Sequence, residues 1–234
     1  MYEPARYPSN AVSRAPAEAG HAAFFRKVYA LMALGLGATA VTALLVASSE
    51  EAIRFIVLNR PVFYGLIIGQ LLMVMAFSSL APRISAVAAG ALFFTYAIMN
   101  GLTLSVIFLI YTSASIATTF FVCAGTFGAM SLFGYATKRD LTGVGSFAMM
   151  GLIGLLIASV VNLFLKSPMI YWLTTFVGVI VFVGLTAYDT QKIKQLDVGD
   201  SEDNHKGAIN GALILYLDFI NLFLFMLRIF GRRK

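Results

Sequence analysis

The chain has 234 residues, of which 59% are hydrophobic and 12% charged, with mean hydropathy +0.85, so polar surface is too scarce for a soluble globule. That length holds about seven membrane spans with short connections and excludes a separate soluble domain. The net charge of +6 calls for no nucleic acid, because anionic membrane lipid accounts for exposed Lys and Arg equally well.

Residues 1–23 carry Pro4, Pro8 and Pro16 without apolar periodicity and are expected to be a disordered tail. Residues 24–234 then make a single seven-helix transmembrane domain, an all-α integral membrane fold. Arg26 and Lys27 ahead of the first span, 28–47, imitate a secretory signal, but the long polar lead favours an uncleaved anchor. The second span, about 62–80, contains Gly65 and Gly69 and then Gln70. The third, about 84–110, has Asn100 and Gly101 near its middle. Small residues four apart allow close helix approach, and amides in lipid usually hydrogen-bond to a neighbouring helix. Spans four to six are expected at about 116–135, 147–165 and 169–188, with Tyr171 and Trp172 as interfacial anchors. The only cysteine, Cys123, excludes an intrachain disulfide and reads as a small buried apolar residue.

The seventh span, about 208–229, carries a carboxylate at its centre. An acid at that depth costs at least ~2.5 kcal/mol on insertion scales, so Asp218 should face protein or water. On a helical wheel Gly207 and Gly211 lie near its face, with Asn210, Asn221 and Arg228 within about a quarter-turn. This stripe suits either a hydrated path or a tight helix interface, and the embedded charge favours the path. Asp189, in LTAYDTQKIKQL, closes span six. The two carboxylates meet only if helix seven starts well out in the cytoplasm or helix six is sunk; otherwise Asp189 is a solvated helix-end acid.

With the N-terminus cytoplasmic, inner segments hold Arg6, Arg14, Arg26, Lys27, Arg83, Lys138, Arg139, Lys192, Lys194 and Lys206, ten of the 17 basic residues. Four of the remaining seven (Arg228, Arg232, Arg233, Lys234) crowd the C-terminus and argue against a seventh crossing. A re-entrant last helix is therefore the rival topology.

Four segments carry a family likeness: LYLDFINLFLFMLRIFG at 215–231, AYDTQKIK at 187–194, KRDLTGVGSFAMMG at 138–151 and NGLTLS at 100–105. They resemble the Bax inhibitor, or transmembrane Bax-inhibitor-motif, family, its bacterial branch most closely. The resemblance implies six helices surrounding the C-terminal one, a bacterial inner-membrane location and a pH-sensitive calcium leak. It puts a paired-aspartate sensor on Asp189 and Asp218 and a basic latch on Arg83. Pro82 and a less basic surrounding run leave a positive-inside anchor as the competing role of Arg83. Two carboxylates in contact share a proton and titrate as a pair. Calcium would be the permeant ion, held weakly and transiently by Asp189 and Asp218, with no cofactor expected. Asn210, Asn221, Asn100 and Gln70 are candidates for the polar path.

Other classes fit less well. An intramembrane aspartyl protease needs GxGD, and Asp218 sits in LYLDF; a retinal protein needs a lysine in the last span. His21 and His205 lack HExxH spacing, which argues against zinc chemistry, and no nucleophile has a plausible base partner, so the chain is not expected to be an enzyme. The alternatives kept are a membrane interaction protein that regulates a membrane protease or stress response, and a proton-coupled cation exchanger.

Overall fold

The computed structural model describes residues 14–80, 83–196 and 202–234, the side chains of 14–19, 78, 202 and 203 apart. Among them nine helices form: α1 (Arg14–Ala47), α2 (Glu50–Ile56), α3 (Arg60–Leu80), α4 (Ala86–Leu104), α5 (Ile107–Ile110), α6 (Ser113–Ala136), α7 (Thr142–Leu165), α8 (Pro168–Lys194) and α9 (Glu202–Phe230). Seven segments are long and apolar enough to cross a membrane, the third running through α4 and α5 as Ala86–Ile110. Helix starts follow local chemistry. Ser49, Ser85, Thr112 and Ser167 each precede a helix and accept a backbone N–H from its first turn, and Pro168 occupies the position where its missing N–H does no harm.

Burial identifies the centre of the bundle. In α9, 56% of the apolar window is buried, against 6% in α3 and 11% in α7. Its immediate wall is α1, α4, α6 and α8, while α3 joins the bundle through α4 and α7 through α8. The outer faces carry exposed Phe121, Phe147 and Leu163, a surface suited to acyl chains and not to water.

Three local expectations need correction. First, α1 begins at Arg14, so residues 14–23 are helix where a tail was expected; residues 1–13 lie outside the described residues. The cause is packing ahead of the first span: Phe24 and Phe25 are buried, and Phe25 meets Tyr135 edge-on with centroids 4.9 Å apart. Once that turn is docked, helix propagates outward cheaply. Second, the third span breaks at Ser105 and Val106. Thr103 Oγ1 donates to the Asn100 carbonyl (2.9 Å) and Ser105 Oγ to the Leu102 carbonyl (2.7 Å), competing with the helical ladder. Third, Gly65 is exposed, with open space where a Cβ would stand. Gly69 does face α4, where a Cβ would lie 3.2 Å from Met99 Cε, and the tightest approaches are at Gly101, where a Cβ would come within 2.6 Å of the Thr39 carbonyl oxygen, and at Gly134, where it would collide with the Ala187 backbone.

The last helix is unbroken over 29 residues, about 44 Å at 1.5 Å per residue. It starts at the end of the bundle where α1 begins, here called proximal, and finishes at the other, distal end. There Thr112 N–H donates to the Arg232 carbonyl and Lys234 N–H to the Ile110 carbonyl, both at 2.9 Å. The C-terminus is thus tied to the α5–α6 connection, which a re-entrant helix returning to its own side could not reach.

Candidate functional site: a carboxylate pair between α8 and α9

Helix overhang brings the two acids level. α9 starts sixteen residues before Asp218 (218 − 202), while α8 ends five residues after Asp189 (194 − 189). The difference lets α9 project roughly 16 Å beyond the end of α8. The projecting segment has α1 beside it, with Phe24 next to Gly207, while Gly211 lies between Ile193 of α8 and Val28 of α1.

At the seam the side chains of Asp189 and Asp218 hydrogen-bond to each other. Asp218 is 5% exposed and Asp189 half-buried. Ionised carboxylates only accept hydrogen bonds, so a bond between these two forms only when one of them carries a proton. The second oxygen of Asp218, Oδ2, is buried and has no hydrogen-bond partner among the described residues.

The surroundings hold the pair in place. Lys192, three residues past Asp189, is the cation whose charge acts on it, and its own ammonium lies 5.9 Å from the Tyr188 ring centre. Tyr29 Oη on α1 is 3.3 Å from Oγ1 of the buried Thr190. Gln191 clamps the α6–α7 connection, accepting from Leu141 N–H and donating to the Arg139 carbonyl, each at 2.8 Å. Gly134 of α6 lets Ala187 approach, so the segment leading into Asp189 is pressed directly against a neighbouring backbone.

A second polar seam lies elsewhere on α9. Tyr216, fully buried, has its hydroxyl 2.6 Å from Thr39 Oγ1 and hydrogen-bonds to the Asn100 side chain. Thr39 Oγ1 also donates to the Ala97 carbonyl at 2.9 Å. On the outer side of α4, Gln70 Nε2 donates to the Met99 carbonyl (2.9 Å) and to Thr103 Oγ1 (3.1 Å).

The family model described as "Inhibitor of apoptosis-promoting Bax1" matches residues 21–234. The chain belongs to the Bax inhibitor family. It is 51% identical over 220 residues to "Inner membrane protein YbhL" of Escherichia coli strain K12, covering 92% of this chain and 94% of that one. An uncharacterized protein of Rickettsia prowazekii is 47% identical over 215 residues, 90% of either chain. An uncharacterized membrane protein of Streptococcus pyogenes serotype M1 is 40% identical over 212 residues, 89% of this chain and 92% of that one.

In this Bax inhibitor family chain the expected site residues divide. Asp189 and Asp218 are brought together. Arg83 is not with them: it sits exposed in the turn after α3, and among the described residues no ion pair links it to either carboxylate. Asn210 is exposed, and Asn221 turns its amide back to the Leu217 carbonyl at 2.8 Å, so neither extends the pair into a polar stripe. Asn100 and Gln70 belong to the second seam and its outer neighbour. Among the described residues no group of three or more His, Cys, Asp or Glu is placed to hold a metal ion. Two carboxylates are too few for firm calcium binding, which usually takes six to eight oxygens.

Sequence reasoning overlooked Tyr29, Thr190, Gln191, Lys192 and Tyr216. The signal for Tyr216 was present, because a tyrosine at the middle of a buried helix needs a partner for its hydroxyl.

Proposed function

We propose that the protein is a proton-gated pathway for calcium across a membrane, with the Asp189–Asp218 pair as sensor and gate. The observation that carries this reading is a hydrogen-bonded carboxyl pair joining the central helix to its neighbour, deep enough that one acid is almost sealed from solvent. A proton between the two carboxyls pins α8 to α9. Its loss leaves two like charges in contact, which repel and part the seam, and a passing divalent cation then neutralises them. Flux accordingly rises as pH climbs through the titration of the pair. Weak, two-carboxylate coordination suits passage, since an ion must leave as readily as it enters. Lys192, already beside Asp189, is better placed than Arg83 to receive the deprotonated carboxylate. The relative YbhL is named an inner membrane protein, and we assign this chain the same membrane with its N-terminus cytoplasmic.

The test is calcium flux into liposomes holding the purified protein, measured against pH. Asp218→Asn keeps the volume and a hydrogen-bonding group but removes the titration. It is expected to flatten the pH profile, and Asp189→Asn to do the same. A profile unchanged in both variants would discard the mechanism, and saturable countertransport in place of a leak would replace it by an exchanger.

A further inference from the structure

At the distal end, far from the carboxylates, a polar cavity of about 610 Å³ opens between the α7–α8 turn and the C-terminal arm. Lys166, Arg228 and Arg233 line it together with Asn162, Tyr171 and Trp172, and no carboxylate is among its lining residues. Among the described residues none of these three cations has an ion-pair partner.

The cavity is a built feature on both sides. Lys166 adopts φ 50°, the one positive-φ non-glycine among the described residues, at a helix end where glycine is the usual occupant. The turn is locked by Lys166 N–H to the Asn162 carbonyl (2.8 Å) and Ser167 N–H to Asn162 Oδ1 (2.9 Å). A lysine therefore stands where glycine fits with less strain. Opposite, the main chain of Arg232 and Lys234 is hydrogen-bonded to residues 110–112, and the Lys234 ammonium donates to the Phe108 carbonyl at 2.7 Å. Arg228 lies over the rings of Tyr171 (5.3 Å) and Phe225 (5.1 Å), which orient its guanidinium without neutralising it.

Location decides the kind of anion. The apolar side chains Phe164, Leu165 and Met169, from 62% to 81% exposed, flank the same turn, and Trp172 is half-exposed at the rim. A surface of that kind is solvated by acyl chains, so the cations sit where hydrocarbon gives way to headgroups. We propose that this cavity binds the phosphate of an anionic phospholipid, with Arg228, Arg233 and Lys166 on the phosphate oxygens and the acyl chains lying along the exposed face of α7 and α8. Arginine is suited to phosphate because its planar fork offers paired donors. The basic C-terminus, which reads as an argument against the last crossing, is then retained for a lipid.

Trp172 is the only tryptophan in the chain, so its fluorescence reports the site alone. The full-length protein is reconstituted in phosphatidylcholine vesicles containing acyl-brominated phosphatidylglycerol or acyl-brominated phosphatidylcholine at equal mole fraction. Brominated phosphatidylglycerol is expected to quench Trp172 at several-fold lower mole fraction. Each cation removed, as in Arg228→Gln or Arg233→Gln, is expected to weaken that preference roughly fivefold. Lys166→Gly separates lipid binding from structure: it relieves the left-handed backbone, so the melting temperature holds or rises while the preference falls. Equal quenching by the two lipids, or full preference retained in Lys166→Gly and in the Arg228→Gln/Arg233→Gln double variant, overturns the proposal. Competition by free inorganic phosphate overturns the lipid as ligand. Calcium flux plays no part in the readout, so the result stands apart from the gate.

Discussion

Two residues apart on α9, Tyr216 and Asp218 face nearly opposite sides of the helix at 100° per residue, and each meets a different neighbour. Asp218 meets Asp189, whereas the Tyr216 hydroxyl joins Thr39 of α1 and Asn100 of α4. Tyr216→Phe leaves buried polar groups short of a partner, at about 1–2 kcal/mol. Its thermal transition in detergent is expected to fall while the pH profile of flux is kept. Asp140 makes a useful contrast. Hydrogen bonds from the Thr142 hydroxyl and N–H hold this exposed carboxyl below its ordinary value of 3.8. Its native pKa being the lower one, what it adds to stability is complete above the unfolded value and lost only as pH falls through the native one. Asp140→Asn is therefore expected to leave the midpoint of a flux titration between pH 5 and 8 where it was. Asp218 was legible in the sequence because a charge in an apolar run is conspicuous. Tyr216 was passed over because a tyrosine counts as apolar on a wheel; its hydroxyl signalled a need for some partner, but which partners, Thr39 and Asn100, shows only once the helices are placed.

The spans, taken as elements, could be read from apolar length alone, since lipid demands about 20 such residues whatever the helix touches. What escaped that reading is set by contacts between helices. The α4–α5 break arises from hydroxyls of Thr103 and Ser105 bonding back to their own helix, and α1 runs on to Arg14 because Phe24 and Phe25 find cover. Glycine spacing was half right for the same reason: Gly69 faces Met99 of α4 and Gly65 faces open space, since spacing marks a surface where helices can touch without saying where they do. Gly134→Ala forces a methyl group into the Ala187 backbone. It is expected to destabilise by about 1–3 kcal/mol and, by pushing α6 off α8 two residues from Asp189, to alter flux as well as melting temperature. Gly65→Ala meets open space and should be neutral or stabilising by up to about 1 kcal/mol. A Gly65 variant as damaging as the Gly134 one would refute this reading of the interfaces.

For the molecule as a whole, seven candidate spans set the start of α1 and the end of α9 at opposite ends of the bundle, and side-specific labelling tests both the count and the orientation. Cys123 is fully buried and should stay silent toward maleimides. A membrane-impermeant maleimide is expected to label Glu50→Cys in intact cells and Lys138→Cys only after permeabilisation. The reverse pattern would invert the orientation, and labelling of both from one side would break the count. The order of synthesis gives the central position of α9 a further meaning. Chains emerge from the ribosome N-terminus first, so the segment that fills the middle of the barrel of helices is made last. Until it arrives, Thr39, Asn100 and Asp189 have no seventh helix to meet, and the space between α1, α4, α6 and α8 is unfilled and partly polar. A messenger truncated ahead of residue 202 would thus yield not a smaller working protein but an incomplete one, exposing polar groups to lipid and marked for degradation.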